Sequence, residues 1–151
     1  MKLAFWKRKN EDAEPEPTPA ATSGTRGIRV LMVDDEELFL RLAKRNLEAE
    51  GFIVQTENRA RCALDAARSF KPDIILLDVM MPDGDGGEVA ARIGNDPDVG
   101  KTPIVFLTAA IKGSEVGGKG AAEIGGRFYI AKPVEIESLI EYIEAHAACS
   151  A

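Results

Sequence analysis

An α/β domain on a five-stranded parallel sheet is predicted by three observations. Short apolar runs recur between polar segments of helical periodicity: IRVLMV, DIILL, PIVFL and FYIA. Runs of that length, free of polar alternation, suit strands buried on both faces. Five residues, Asp34, Asp35, Asp78, Thr108 and Lys132, stand at or just past the ends of those runs. In parallel sheets the carboxyl ends of the strands share one edge, and ligands bind in the crevice outside it. Residues up to 98 positions apart are thus expected to meet in one site.

The elements follow in order. Strand 28–33 leads to a helix over 36–50, with Phe39, Leu42, Ala43 and Leu47 as its inward stripe and Gly51 as its stop. Strand 52–56 precedes a helix over 58–70, where Ala63, Ala66, Ala67 and Phe70 fall at helical spacing. Pro72 marks the start of strand 73–78, and a turn rich in Gly and Asp leads to a helix over 86–94. Pro103 introduces strand 103–108, and 127–131 is the fifth strand. A last helix over 135–147 carries Ile136, Leu139, Ile140 and Ile143 on one face. Strands alternating with helices imply right-handed crossovers. The weakest stretch is Ala109 to Gly126, with six glycines in eighteen residues. Each interior glycine costs a helix about 1 kcal/mol relative to alanine, so the fourth helix is expected to be short, frayed or displaced.

Composition narrows the function. The 151 residues suit one domain with a core, and 45% apolar with 29% charged residues is ordinary for a globular protein. Residues 1–27 hold five basic and four acidic side chains, leaving 14 against 21 elsewhere, a net of −7. That acidity argues against binding nucleic acid through its phosphates. Cys62 and Cys149 lie far apart without metal-ligand spacing, as expected of reduced thiols. No apolar stretch reaches the roughly 18–20 residues of a membrane helix, and the start lacks a signal-peptide core. A cytoplasmic location is expected.

Residues 1–27 read as a disordered arm, with prolines at 15, 17 and 19 and few apolar residues to offset chain entropy. Its tip, Met1 to Lys9, combines four positive charges with Leu3, Phe5 and Trp6. Such a tip can touch an anionic membrane. Its shortness and the following EDAEPE stretch favour instead a solvated arm or a docking peptide for a protein.

The chemistry lies in the five strand-end residues. Three crowded carboxylates raise one another's pKa unless a cation neutralises them. All-oxygen ligation is what Mg²⁺ or Mn²⁺ prefers, and one histidine without clustered cysteines argues against zinc. A metal, a lysine and a hydroxyl around a carboxylate form a cage for a phosphoryl group, with Asp78 as nucleophile. Taken singly, Asp-Asp is more often a helix cap and Lys-Pro a turn; their ordered conjunction favours a site. His146 reads as an ordinary residue near a helix C-terminus.

VDDEE at 33–37, DVMMPDGDGG at 78–87, LTA at 107–109 and AKP at 131–133 together resemble the response-regulator receiver domain of two-component signalling, over about residues 28–148. The resemblance implies a flavodoxin-like doubly wound fold with strand order 2-1-3-4-5. It implies phosphorylation of Asp78 by a histidine kinase or phosphotransfer protein, the chain being no enzyme beyond assisting that transfer and its reversal. Asp34 and Asp35 match the acid pair that holds Mg²⁺, with the Met80 carbonyl as a further ligand. Lys132 matches the lysine that pairs with the phosphoryl, its bond to Pro133 being cis. Thr108 matches the hydroxyl that grips the phosphoryl, and Tyr129 the aromatic that turns inward behind it. Two positions depart from the pattern: the Thr108–Lys132 interval is longer and Gly-rich, and Gly84 replaces an apolar residue, which loosens the turn. Met80 and Ala110, two positions past the acceptor and the threonine, cannot orient a water through their side chains, which implies slow self-dephosphorylation.

With so few residues after the last helix, output is expected through an unknown protein target or a phosphorelay. A flavodoxin-like nucleotide or flavin carrier is the alternative. It needs a Gly/Ser/Thr-rich loop after the first strand, where this chain has DDEE. A haloacid-dehalogenase-type phosphatase needs D-x-D there, which Asp34-Asp35-Glu36 does not supply.

Overall fold

The computed structural model describes residues 27–109, 121–124 and 127–147. The arm 1–26, the segment 110–120 with Ala110, and Cys149 lie outside them. Five parallel strands, β1 (Arg29–Val33), β2 (Ile53–Glu57), β3 (Ile74–Asp78), β6 (Ile104–Thr108) and β8 (Arg127–Ala131), stand in the order β2-β1-β3-β6-β8. This is the expected 2-1-3-4-5 arrangement. Two short strands, β4 (Met80–Met81) and β5 (Gly84–Asp85), form a separate hairpin after β3.

Side-chain alternation divides the core into two layers. On one face Leu31, Val33, Ile75, Leu77 and Phe106 pack against α2 (Ala63–Phe70) and α3 (Gly86–Gly94). On the other, Val30, Met32, Leu76, Val105 and Leu107 meet α1 (Glu37–Ala49) and α4 (Ile136–His146). β3 has all five residues buried, as its central place requires. The α2 layer is alanine-rich, which brings the helix close to the sheet, and a 3-10 turn at Ala60–Cys62 precedes it. Lys71 closes α2 in a left-handed conformation at φ 54°.

Three expectations need correction. The stripe of α1 is Leu40, Ala43 and Leu47, with Phe39 partly buried, whereas Leu42 is exposed. Phe39, Leu40, Leu42 and Ala43 are all apolar, so periodicity alone leaves the helix's rotation open; packing on the sheet selects Leu40. In the Gly-rich segment read as a fourth helix, the described residues Ala121–Ile124 are a strand, β7, antiparallel to β8. A strand draws its hydrogen bonds from a neighbour, which a Gly-weakened helix cannot draw from itself. Gly84 does not merely loosen its turn: a Cβ there would lie 2.8 Å from the Ala60 Cβ, so glycine permits that close approach.

Among the described residues no helix is long and apolar enough to cross a membrane.

Candidate functional site

Each site residue is set by the last ladder bond of its strand. The Asp34 N–H bonds to the Glu57 carbonyl at 3.1 Å, one step beyond β1. Its side chain is fully buried, and Oδ1 accepts the Glu36 N–H at 2.9 Å, which turns the chain into α1. Asp34 thus serves both the turn ahead of α1 and the site. Asp78 ends β3 beside Leu107, and Thr108 ends β6 beside Ala131. The Lys132 N–H bonds to the Thr108 carbonyl at 3.0 Å, and the Lys132–Pro133 bond is cis.

These strand ends open on a cavity of about 430 Å³ lined by Asp35, Glu36, Asp78, Met80, Thr108, Ala109 and Lys132. Asp34 lies beneath, its Oδ2 2.7 Å from the Lys132 Nζ. That approach is too oblique for a hydrogen bond, so Oδ2 is a buried oxygen held by charge alone. Lys132 Nζ also meets Glu36 Oε1 at 3.1 Å and Asp78 Oδ2 at 3.8 Å, with the Phe39 ring centroid 5.3 Å away. Tyr129 is not among the lining residues. It stacks on Phe106 with centroids 5.2 Å apart, one pair down from Thr108 on the same face.

Glu36 and Phe39 are the neighbours of Lys132 that sequence reasoning missed. The DDEE run held the signal for Glu36, but nothing in it says which acid turns inward. Asp83 was missed too. Its Oδ1 accepts the Ala60 N–H at 2.9 Å, fastening the turn after β3 to the start of the α2 region. That bond leads in holding the Asp83 carboxyl below its usual range.

The electrostatics are strained. Burial first, then the charge of Asp34, push the Asp78 carboxyl up to about 6, against the pull of Lys132. Burial draws the Lys132 ammonium down, but the Asp34 carboxylate, the Glu36 hydrogen bond and the charge of Asp78 outweigh it and raise its pKa. One oxygen each from Asp34, Asp35 and Asp78 fall within 4.8 Å of one another. A buried oxygen without a hydrogen bond, a carboxyl whose pKa is pushed upward and a hard all-oxygen donor set fit a divalent cation.

A family model described as the response regulator receiver domain matches residues 30–144. The polar-differentiation response regulator DivK of Brucella anthropi is 34% identical over 119 residues, 78% of this chain and 94% of that protein. The chemotaxis response regulator CheY4 of Vibrio cholerae is similar in structure at TM-score 0.64 and 28% identity, over 80% of this chain and 98% of that one. The N-terminal domain of a response regulator receiver protein from Methanoculleus marisnigri gives TM-score 0.58 at 32% identity, covering 78% and 94%. The match runs from β1 into α4 and takes in all four strand ends that build the acidic cavity, so the chain belongs to the response regulator receiver domain family.

Proposed function

We propose that Asp78 is the residue of this chain that accepts the phosphoryl group, with Mg²⁺ or Mn²⁺ held by Asp34, Asp35, Asp78 and the Met80 carbonyl. As a receiver the chain is a phospho-accepting signalling protein of two-component systems, and receivers in general bind Mg²⁺. The observation that carries the proposal is the convergence of Asp35, Asp78, Thr108 and Lys132 on one cavity, from strand ends far apart in sequence. A carboxylate oxygen of Asp78 attacks phosphorus as the bond to the donor breaks. With a histidine kinase or phosphotransfer protein that bond is P–N, and the imidazole leaves with the electron pair. Bound Mg²⁺ supplies charge neutralisation for the carboxylates and the transferring oxygens. Lys132 pairs with one phosphoryl oxygen, Thr108 grips another, and Tyr129 follows Thr108 inward to change the surface offered to a target protein. The unit is residues 28–148, with 1–27 as an arm, and the chain assists only its own phosphorylation and dephosphorylation. A cytoplasmic place belongs to this reading, and the absence of nucleic-acid binding accords with the acidic charge. The carrier alternative finds nothing in its favour, since Asp34 and Asp35 stand where a phosphate loop would be.

The test is acetyl phosphate with Mg²⁺. One acid-stable, base-labile phosphoryl is expected on Asp78, absent from Asp78→Asn. Undiminished labelling of that variant, or labelling indifferent to a chelator, overturns the assignment.

A further inference from the structure

We propose that Glu36 is a positioning residue that holds the Lys132 ammonium in a resting place and competes for it with the phosphoryl group. The inference rests on the reading of Asp78 as acceptor. An ammonium has three donors and no acceptor. Here one contact is Asp34 at 2.7 Å and another is Glu36 at 3.1 Å, while Asp78 lies at 3.8 Å, beyond hydrogen-bond range. The ammonium is drawn toward the start of α1 and away from the carboxylate it serves. Its side chain is 15% exposed, whereas that of Glu36 is 62% exposed and reaches inward from solvent.

Glu36 stands at the N-cap position of α1, but its side chain makes no capping hydrogen bond. Its backbone serves the helix start, the N–H through Asp34 and the carbonyl by accepting the Leu40 N–H. The carboxylate is spent on a residue 96 positions away. The Phe39 ring, 5.3 Å from Nζ, bounds the same resting place.

When acetyl phosphate reacts, an Asp78 oxygen bonds to phosphorus, and acetate leaves with the electrons of the broken P–O bond. Lys132 keeps its proton throughout and exchanges the Glu36 oxygen for a phosphoryl oxygen. A contact made before transfer and surrendered after it stabilises only the unphosphorylated state, so it opposes phosphorylation. The pair is half in solvent, so its effect is that of an exposed ion pair, about two- to fivefold.

Two substitutions separate this from simple repulsion of an anionic donor by a third acid. Glu36→Gln keeps the length and removes the charge. Glu36→Asp keeps the charge but shortens the chain and favours capping α1, both of which withdraw the carboxylate from Lys132. Labelling by acetyl phosphate and the affinity for beryllofluoride, each with Mg²⁺, are measured on the full chain at low and high salt. Both variants should gain about two- to fivefold, and the gain should survive salt that screens longer-range repulsion. In the unphosphorylated protein, the ¹⁵N resonance of the Lys132 amino group, assigned with Lys132→Arg, should move in both. A gain confined to Glu36→Gln that vanishes in salt overturns the proposal in favour of repulsion. If the wild type is labelled on Asp78 and both variants match it, the competition alone fails. If the wild type takes no label, the acceptor reading fails and the proposal with it.

Discussion

Asp96 and Asp78 are 7% and 6% exposed, and the molecule treats them in opposite ways. Asp96 accepts the N–H groups of Asp98 and Val99 at 2.8 and 3.1 Å on Oδ1, and Arg68 on Oδ2 with Nε at 2.7 Å and Nη2 at 2.6 Å. Those bonds, the Asp98 N–H foremost, hold its carboxyl below the usual range despite burial. Among the described residues, Asp78 has a long bond from the Met80 N–H at 3.3 Å and a lysine at 3.8 Å. Its carboxyl is pushed the other way. The loop before β6 satisfies a buried acid completely, so under-bonding at the sheet edge is local to that edge. Saturation accords with a structural acid, and shortage with the proposed role of Asp78 as phosphoryl acceptor.

Labelling should divide the two acids most sharply. Asp78→Asn is expected to fall to background, and Asp96→Asn to keep the wild-type rate while melting at lower temperature. Equal loss of labelling in both would erase the distinction. Added cation comes next in size. At a hundredfold excess over its dissociation constant, Mg²⁺ should stabilise the fold by about 2.7 kcal/mol, reversed by chelator and much reduced in Asp35→Asn. Chemical denaturation with and without the ion measures it.

Gly86 sharpens the comparison from the backbone side. A Cβ there would lie 2.5 Å from the Asp78 carbonyl oxygen, and the Gly86 N–H already bonds to the Val79 carbonyl at 2.8 Å. Gly86→Ala should cost about 1–3 kcal/mol, as overpacking does, and slow labelling by displacing Asp78. Gly87→Ala, whose Cβ would meet only the Asp85 side chain, at 3.4 Å, is the matched control.

A further effect is a difference in sign with pH, read by urea unfolding in chelator. The folded Asp96 pKa is depressed, so its stabilisation is present above its ordinary value and lost as pH falls through the folded one. The folded Asp78 pKa is raised from 3.8 to about 6, so stability declines as pH rises through that window and then levels. Above it, Asp78→Asn should be more stable than wild type and Asp96→Asn less. Below pH 3.8 the Asp78→Asn advantage should vanish. An advantage that persists in acid would place its cause in packing.

Much of this was legible in the chain, for physical reasons. Strands buried on both faces leave unbroken apolar runs, and a parallel sheet forces the residues after them to one edge. Asp34, Asp78, Thr108 and Lys132 could therefore be assembled without coordinates. What stayed hidden depends on contacts between segments that carry no local mark. Leu40 and Leu42 are equally apolar, and only the sheet distinguishes them. The need for Gly84 comes from Ala60, on another element. β7 exists by pairing with β8, and AAEI shows no strand pattern of its own. The completeness of the bonds to Asp96 was invisible, since two of its partners are backbone N–H groups.

Lys132 follows β8, which joins the sheet against β6, and its own N–H is fixed by the Thr108 carbonyl. Synthesis runs from the N-terminus, so all three carboxylates leave the ribosome long before the residue that neutralises them. A partly made chain presents an edge of like charge with no ammonium, and gains one only when the last parallel strand has docked. The order of synthesis thus brings the ammonium to the acidic edge late, with α4 alone among the described elements still to follow.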